Sequence, residues 1–172
     1  MGNKNLDDLA VQKQIIEDVT KQEEILRFDH FTNDDAWELG KHLVDKIKND
    51  GIEMAVAIRK VNGNTIFAHY SAGTNLMNEN WMNRKFKTVV MNEASSFKMW
   101  ALNLKNNYPV ESMGMDSKDY VLCGGGFPIK LKNGEMVAVA LASNLPHEKD
   151  HKFLVDGLAS FLKVEGLPDI EL

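Results

Sequence analysis

The chain has 172 residues, 44% hydrophobic and 26% charged, which suits one compact domain. A net charge of -5 argues against general nucleic-acid binding, which needs a basic footprint on phosphates, although a local basic patch stays open. No apolar run approaches the roughly 20 residues that span a bilayer, the N-terminus MGNKNLDDLA lacks a signal-peptide core, and Leu6 stands where a myristoylation pattern wants Ser or Thr.

A single cysteine, Cys123, can form neither an intramolecular disulfide nor a thiolate metal cage, which agrees with a reducing compartment and a cytoplasmic location.

In chain order, Asn5 is the expected cap of a first helix that runs to about residue 24, with Leu9, Ile16 and Val19 on its apolar face. A short strand over 25–28 follows. Thr32 or Asn33 then opens a second helix, with Asp34 and Asp35 suiting its positive end and Gly51 closing it. Its buried stripe is Ala36, Gly40, Leu43, Val44 and Ile47.

Strands over 54–60 and 65–70 flank Asn62-Gly63, a dipeptide suited to a tight hairpin. A two-residue turn puts Val56, Ile58, Phe67 and His69 on one face, and Ala55, Ala57, Arg59, Ile66, Ala68 and Tyr70 on the other. Neither face is mainly polar, so both are expected to be covered.

A long helix is predicted over 79–106, with Phe86, Val90, Ala94, Phe97, Ala101 and Leu104 at helical spacing. Trp81, Arg84, Lys85 and Thr88 share a face on the order of 160° from that stripe, at about 100° per residue. They are expected to point away from the core, as ligand contacts, as an interface or as a solvated first turn.

After a surface loop over 107–119, the stretch LCGGGFPIKLKNGEMVAVALAS gives two strands around a second Asn-Gly. Residues 136–142 do not alternate polar with apolar, so that strand is central and packed on both sides. Pro146 introduces a last helix that turns Phe153, Leu154, Gly157, Leu158, Phe161 and Leu162 inward. The expected fold is α+β, a mostly antiparallel central sheet flanked by helices in a single domain over 1–172, with 1–24 as a helical extension.

Several residues offer chemistry. His147 and His151 share a face of the last helix beside Asp150, a weak metal signal with no second cluster behind it, and no metal is expected. His69, on an apolar face, is either a satisfied core histidine or a site residue. Gly124, Gly125 and Gly126 offer either a nest of N–H groups for an anion or a close backbone crossing, without the ending of a P-loop. Cys123 beside them is a nucleophile or an inert core thiol.

The segments GGGFPIKLKNGEMVAVALASNLP and HEKDH resemble the haem-degrading domain family, which includes GlcG-type and HbpS-type proteins and the C-terminal domain of PduO-type proteins. FTNDDAWELG, AVAIRKVNGNTIFAHYSAGT and NENWMNRKFKTVV extend the likeness to an uncharacterised branch of that family. Arg59, His69, Trp81, Arg84, Lys85, Gly125, Pro128, Asp150 and His151 fall on the branch's recurring positions. The resemblance implies a helix-flanked sheet, assembly into dimers or larger rings, and small-ligand binding, with haem and corrinoid among the ligands of relatives.

Together these readings suggest a cytoplasmic homo-oligomer that binds a small anionic or planar ligand near Arg59, His69, Trp81, Arg84, Lys85, Gly125, Asp150 and His151. His69 or His151 would carry a proton if there is chemistry, and whether the protein is an enzyme is left open. The alternatives are a scaffold protein in protein quality control or stress response, and a haem-binding or haem-degrading protein.

Overall fold

A computed structural model describes residues 5–172. Helix α1 (Leu9–Ile25) starts one turn later than the sequence suggests, because Asp8 caps it by accepting from Ala10 N–H, while Asn5 makes a local turn with Asp7 N–H. It buries Ile15 and Val19 and leaves Leu9 exposed. Strand β1 (Arg27–Phe28) leads to α2 (Asn33–Asp50), where Thr32 and Asp35 form a reciprocal capping box and Gly51 closes the end in the left-handed conformation.

Strands β2 (Ala55–Lys60) and β3 (Thr65–Tyr70) form the first hairpin, and β4 (Gly126–Leu131) and β5 (Met136–Ser143) the second. The sheet order is β1-β4-β5-β2-β3, antiparallel except for the β1–β4 pair. The fold is α+β in a single domain with a mixed sheet.

The first hairpin departs from the two-residue turn. Gly63 N–H bonds Lys60 O, Lys60 N–H bonds Asn64 O, and at the tip only Gly63 has positive φ, +90°. The register therefore slips between Ile58 and Arg59, which leaves Ile66 in a bulge, packed with Val56 and Ile58 and not beside Arg59. Val56 still faces His69, and Ile58 faces Phe67.

Both faces of the inner strands are covered, whereas the edge strand β3 leaves Thr65, Ala68 and Tyr70 exposed, so the cover expected on both sides of the first hairpin is incomplete. Val56, Ile58, Phe127, Ile129 and the alanines 138, 140 and 142 pack under α2 and α5 (His147–Leu162). Ala55, Ala57, Val139 and Leu141 pack under α3 (Leu76–Asn92) through Met82 and Val89. The non-alternating run in β5 is thus a strand buried on both faces.

The long helix expected over 79–106 is two helices. Glu93 takes a left-handed φ of 49°, and Ser95 then caps α4 (Ser96–Asn103). Glu23 of α1 accepts the buried Ser95 N–H at 2.7 Å, which holds the break. The apolar spacing runs on across it because each half buries its own stripe, Phe86 and Val90 against the sheet and Phe97 and Ala101 against α1 and Ile170.

Candidate functional site

The orientation of α3 sets the site, and it reverses the expectation for one flank of the helix. Lys85 is buried and Thr88 fully so, in line with Asn78, Met82 and Val89 on the sheet-facing side. Trp81 stays at the rim, 36% exposed, with the Arg84 guanidinium stacked on its ring at 4.7 Å. Arg84 also donates to Tyr120 O at 3.4 Å.

The Lys85 ammonium donates to Asp150 Oδ2 at 2.7 Å and to Ala142 O at 2.8 Å. Asp150 is in the first turn of α5, where the helix dipole favours a carboxylate, and its Oδ1 accepts from Leu145 N–H at 3.0 Å. Burial pushes the Asp150 carboxyl above its ordinary value, and Lys85 pulls it back. This ion pair ties α3 to the start of α5 across the glycine-rich segment.

The glycines make room for that pair. A Cβ on Gly125, whose φ is +104°, would be 2.5 Å from Lys85 Nζ and 2.4 Å from Ala142 O. One on Gly124 would be 2.0 Å from His147 O. Gly124 N–H is already spent on His147 Nδ1 at 3.3 Å and Gly126 N–H on Ser96 Oγ at 3.0 Å. Close approach, not an anion nest, is what Gly124 and Gly126 serve.

Above the pair opens a cleft of about 470 Å³, lined by Asn78, Trp81, Cys123, Ser143, Leu145 and His147 as well as Lys85, Asn144 and Asp150. Burial pushes the Cys123 thiol above, and the His147 imidazolium below, their ordinary values, so both are neutral at pH 7. Asn78, Ser143, Asn144 and Leu145 lie in the segments that carry the family likeness but stand out by no spacing or chemistry of their own; the fold brings them here.

The other expected site residues lie elsewhere. Arg59 is buried, held by Glu79 at 2.7 Å and by Asn83, and Glu79 also accepts from the Tyr70 hydroxyl. His69 is on the opposite face of the sheet, in a groove of about 430 Å³ with Trp37, Lys41, Lys48 and Phe67. His151 is 2% exposed, stacked on Phe97 at 4.3 Å, with Nε2 against Gln22 Oε1 at 2.9 Å. Pro128 is a β4 residue paired with Val139. One chain therefore gathers Trp81, Lys85 and Asp150 at the cleft with Gly125 packed against the ion pair, keeps Arg84 at the rim, and sets Arg59, His69 and His151 apart.

Gln22 fixes the His151 tautomer. Its Nε2 donates to Pro168 O at 2.8 Å, so its Oε1 faces the imidazole and accepts from Nε2–H. His151 Nδ1 is then a buried lone pair without a partner among the described residues. Among those residues, no three His, Cys, Asp or Glu side chains gather as a metal site, and no helix is long and apolar enough to cross a membrane.

The comparisons agree with this fold. A UPF0303 protein of Yersinia enterocolitica is 32% identical over 149 residues, 86% of each chain. The crystal structure of the Ybr137w protein superposes with a TM-score of 0.81 at 29% identity, covering 86% of this chain and 87% of that one. The crystal structure of a PduOC:haem complex matches at a TM-score of 0.61 and 16% identity, over 76% of this chain and 94% of that one, a likeness of fold. The family model described as haem degrading protein HbpS-like matches residues 31–159, and the chain belongs to that family.

Proposed function

We propose that this protein is a cytoplasmic, homo-oligomeric small-molecule-binding protein whose ligand enters the cleft between α3 and the start of α5. The observation that carries the reading is a cleft of about 470 Å³ floored by the buried Lys85–Asp150 pair and rimmed by Trp81. A volume in the range of roughly 300–1,000 Å³, an aromatic wall and a few convergent polar groups are the usual makings of a ligand site. Leu76 and Met77 at the start of α3, 82% and 60% exposed, and Tyr70 beside them support self-association near the same end of the helix. No reaction is assigned.

Haem, bound by the PduOC structural neighbour, is a second reading that the cleft does not favour. Haem iron takes a free imidazole lone pair, a thiolate, a Met thioether or a Tyr phenolate, and of these the described cleft lining offers His147 and Cys123. His147 Nδ1 is engaged by Gly124 N–H, the Cys123 thiol is held protonated by burial, and the Lys85 amine is tied to Asp150.

Native mass spectrometry of the protein as purified from cells tests the proposal. A multimer carrying an extra small-molecule mass that the Trp81→Ala variant loses supports it. A wild-type protein that is monomeric, and that shows no binder in a small-molecule screen, overturns it.

A further inference from the structure

Each carboxylate, amide and imidazole acceptor on the side chains lining the cleft already takes one hydrogen bond, and the carboxylate and amide oxygens keep a second lone pair. Asp150 commits Oδ1 to Leu145 N–H at 3.0 Å and Oδ2 to Lys85 Nζ at 2.7 Å. Asn78 Oδ1 accepts from Asn75 N–H at 2.9 Å, and Asn144 Oδ1 from Asn78 Nδ2 at 3.2 Å. His147 Nδ1 accepts from Gly124 N–H at 3.3 Å.

The donors are not exhausted. An ammonium has three protons, and Lys85 uses two, on Asp150 and Ala142; the third has no partner among the described residues. A neutral imidazole that accepts at Nδ1 carries its proton on Nε2, and Glu148 Oε2, at 3.9 Å from that atom, is beyond hydrogen-bond reach. The Ser143 hydroxyl accepts a long bond from Asn78 at 3.4 Å, and its own proton has no acceptor among the described residues.

Charge at the rim is mixed. Asp150 offsets Lys85, whereas Arg84, stacked on Trp81 at the rim, has no carboxylate partner among the described residues. The cleft thus combines unspent donors with an apolar wall of Trp81 and Leu145, while the Glu148 carboxylate beside His147 balances the Arg84 cation at the rim.

Resting on the cleft being a ligand site, we propose that it takes a flat aromatic carboxylate, with the ring against Trp81 and the carboxylate turned to Lys85, His147 and Ser143. A carboxylate is an acceptor-only group, and its bonds to these donors are charge-assisted. An ammonium leaves the Lys85, His147 and Ser143 protons without an acceptor and sets a second cation against Lys85.

Titration calorimetry on the full chain tests this with three probes of one shape: 2-naphthoate, 2-naphthylmethylammonium and naphthalene. The expected result is 2-naphthoate binding roughly 10-fold or more tighter than either other probe, as one bond to a charged group gives. Ser143→Ala and His147→Phe should each weaken 2-naphthoate and leave naphthalene unchanged, and neither touches the buried ion pair. The ammonium probe binding as tightly as 2-naphthoate, in a manner lost with Trp81→Ala, overturns the ligand class and leaves the cleft standing. Binding of none of the three, or binding indifferent to Trp81→Ala, overturns the carboxylate assignment at this site. Only a further failure of the small-molecule screen to find any binder overturns the cleft itself.

Discussion

Lys85 and Asp150, 65 residues apart in sequence, meet at 2.7 Å with each side chain only 3% exposed. The pair joins the middle of one helix to the first turn of another and forms the floor of the cleft. A fully desolvated ion pair is stable only when both members are present, since either alone is an uncompensated buried charge.

Lys85→Met or Asp150→Leu should therefore each cost about 3–5 kcal/mol of stability, whereas the two together should cost much less than their sum. Urea unfolding of the three variants measures the coupling. Strictly additive losses would show that the pair is not a unit.

His151 gives the protein a pH-dependent stability. Burial lowers its pKa from 6.5 to about 3, and the neighbouring His147 adds to the shift. Above pH 6.5 neither the folded nor the unfolded chain protonates this ring, and the stability it supports is fully present. As pH falls from 6.5 towards 3, only the unfolded chain takes up the proton, so stability declines by about 1.4 kcal/mol per pH unit. The difference between wild type and His151→Gln in urea midpoint, measured from pH 7 to pH 4.5, should show this slope. Parallel curves would count against it.

Gly125→Ala should be among the most damaging small substitutions in the chain. Its Cβ would meet Lys85 Nζ at 2.5 Å and the Ala142 carbonyl at 2.4 Å, at a backbone φ of +104°. Gly63→Ala shares the positive φ but meets nothing within 4 Å, so it should cost only about 1 kcal/mol. Thermal unfolding of the two variants separates packing from backbone strain.

Tyr70 should ionise late. Partial burial and the Glu79 carboxylate that its hydroxyl bonds raise its pKa from 10.0 to about 12. In a tyrosinate absorbance titration of the chain's three tyrosines, the last phenol to ionise should disappear in Tyr70→Phe. Glu79→Gln should bring it back towards the ordinary value, since the charge that opposes the phenolate is then gone.

Cys123 reports on the cleft. Because burial raises its thiol pKa, alkylation at pH 7 should be slower than that of an exposed cysteine, and Trp81→Ala should accelerate it by uncovering the rim. Alkylation of the intact protein, followed by mass, measures both rates. Equal rates in wild type and variant would place Cys123 out of reach of the cleft.

The local pattern was enough for most of the elements. Thr32 and Gly51 bound α2 through caps that need only neighbouring residues, β3 follows from its β-branched and aromatic residues, and the unbroken apolar run 136–142 requires a strand covered on both faces. The same local logic failed at residues 93–95, where the apolar spacing continues but the partner surface changes, and where Glu23 holds the break from another helix. It also failed for Lys85. Periodicity reads a lysine as an outward residue, and only Asp150 and the space left by Gly125 make it an inward one. Family likeness marked Arg59, His69, Trp81, Arg84, Lys85, Gly125, Asp150 and His151 together. Which of them share a cleft was decided by the sheet, which puts His69 on one face and Lys85 on the other, because adjacent residues in a strand point to opposite sides and the register between strands is fixed by long-range pairing.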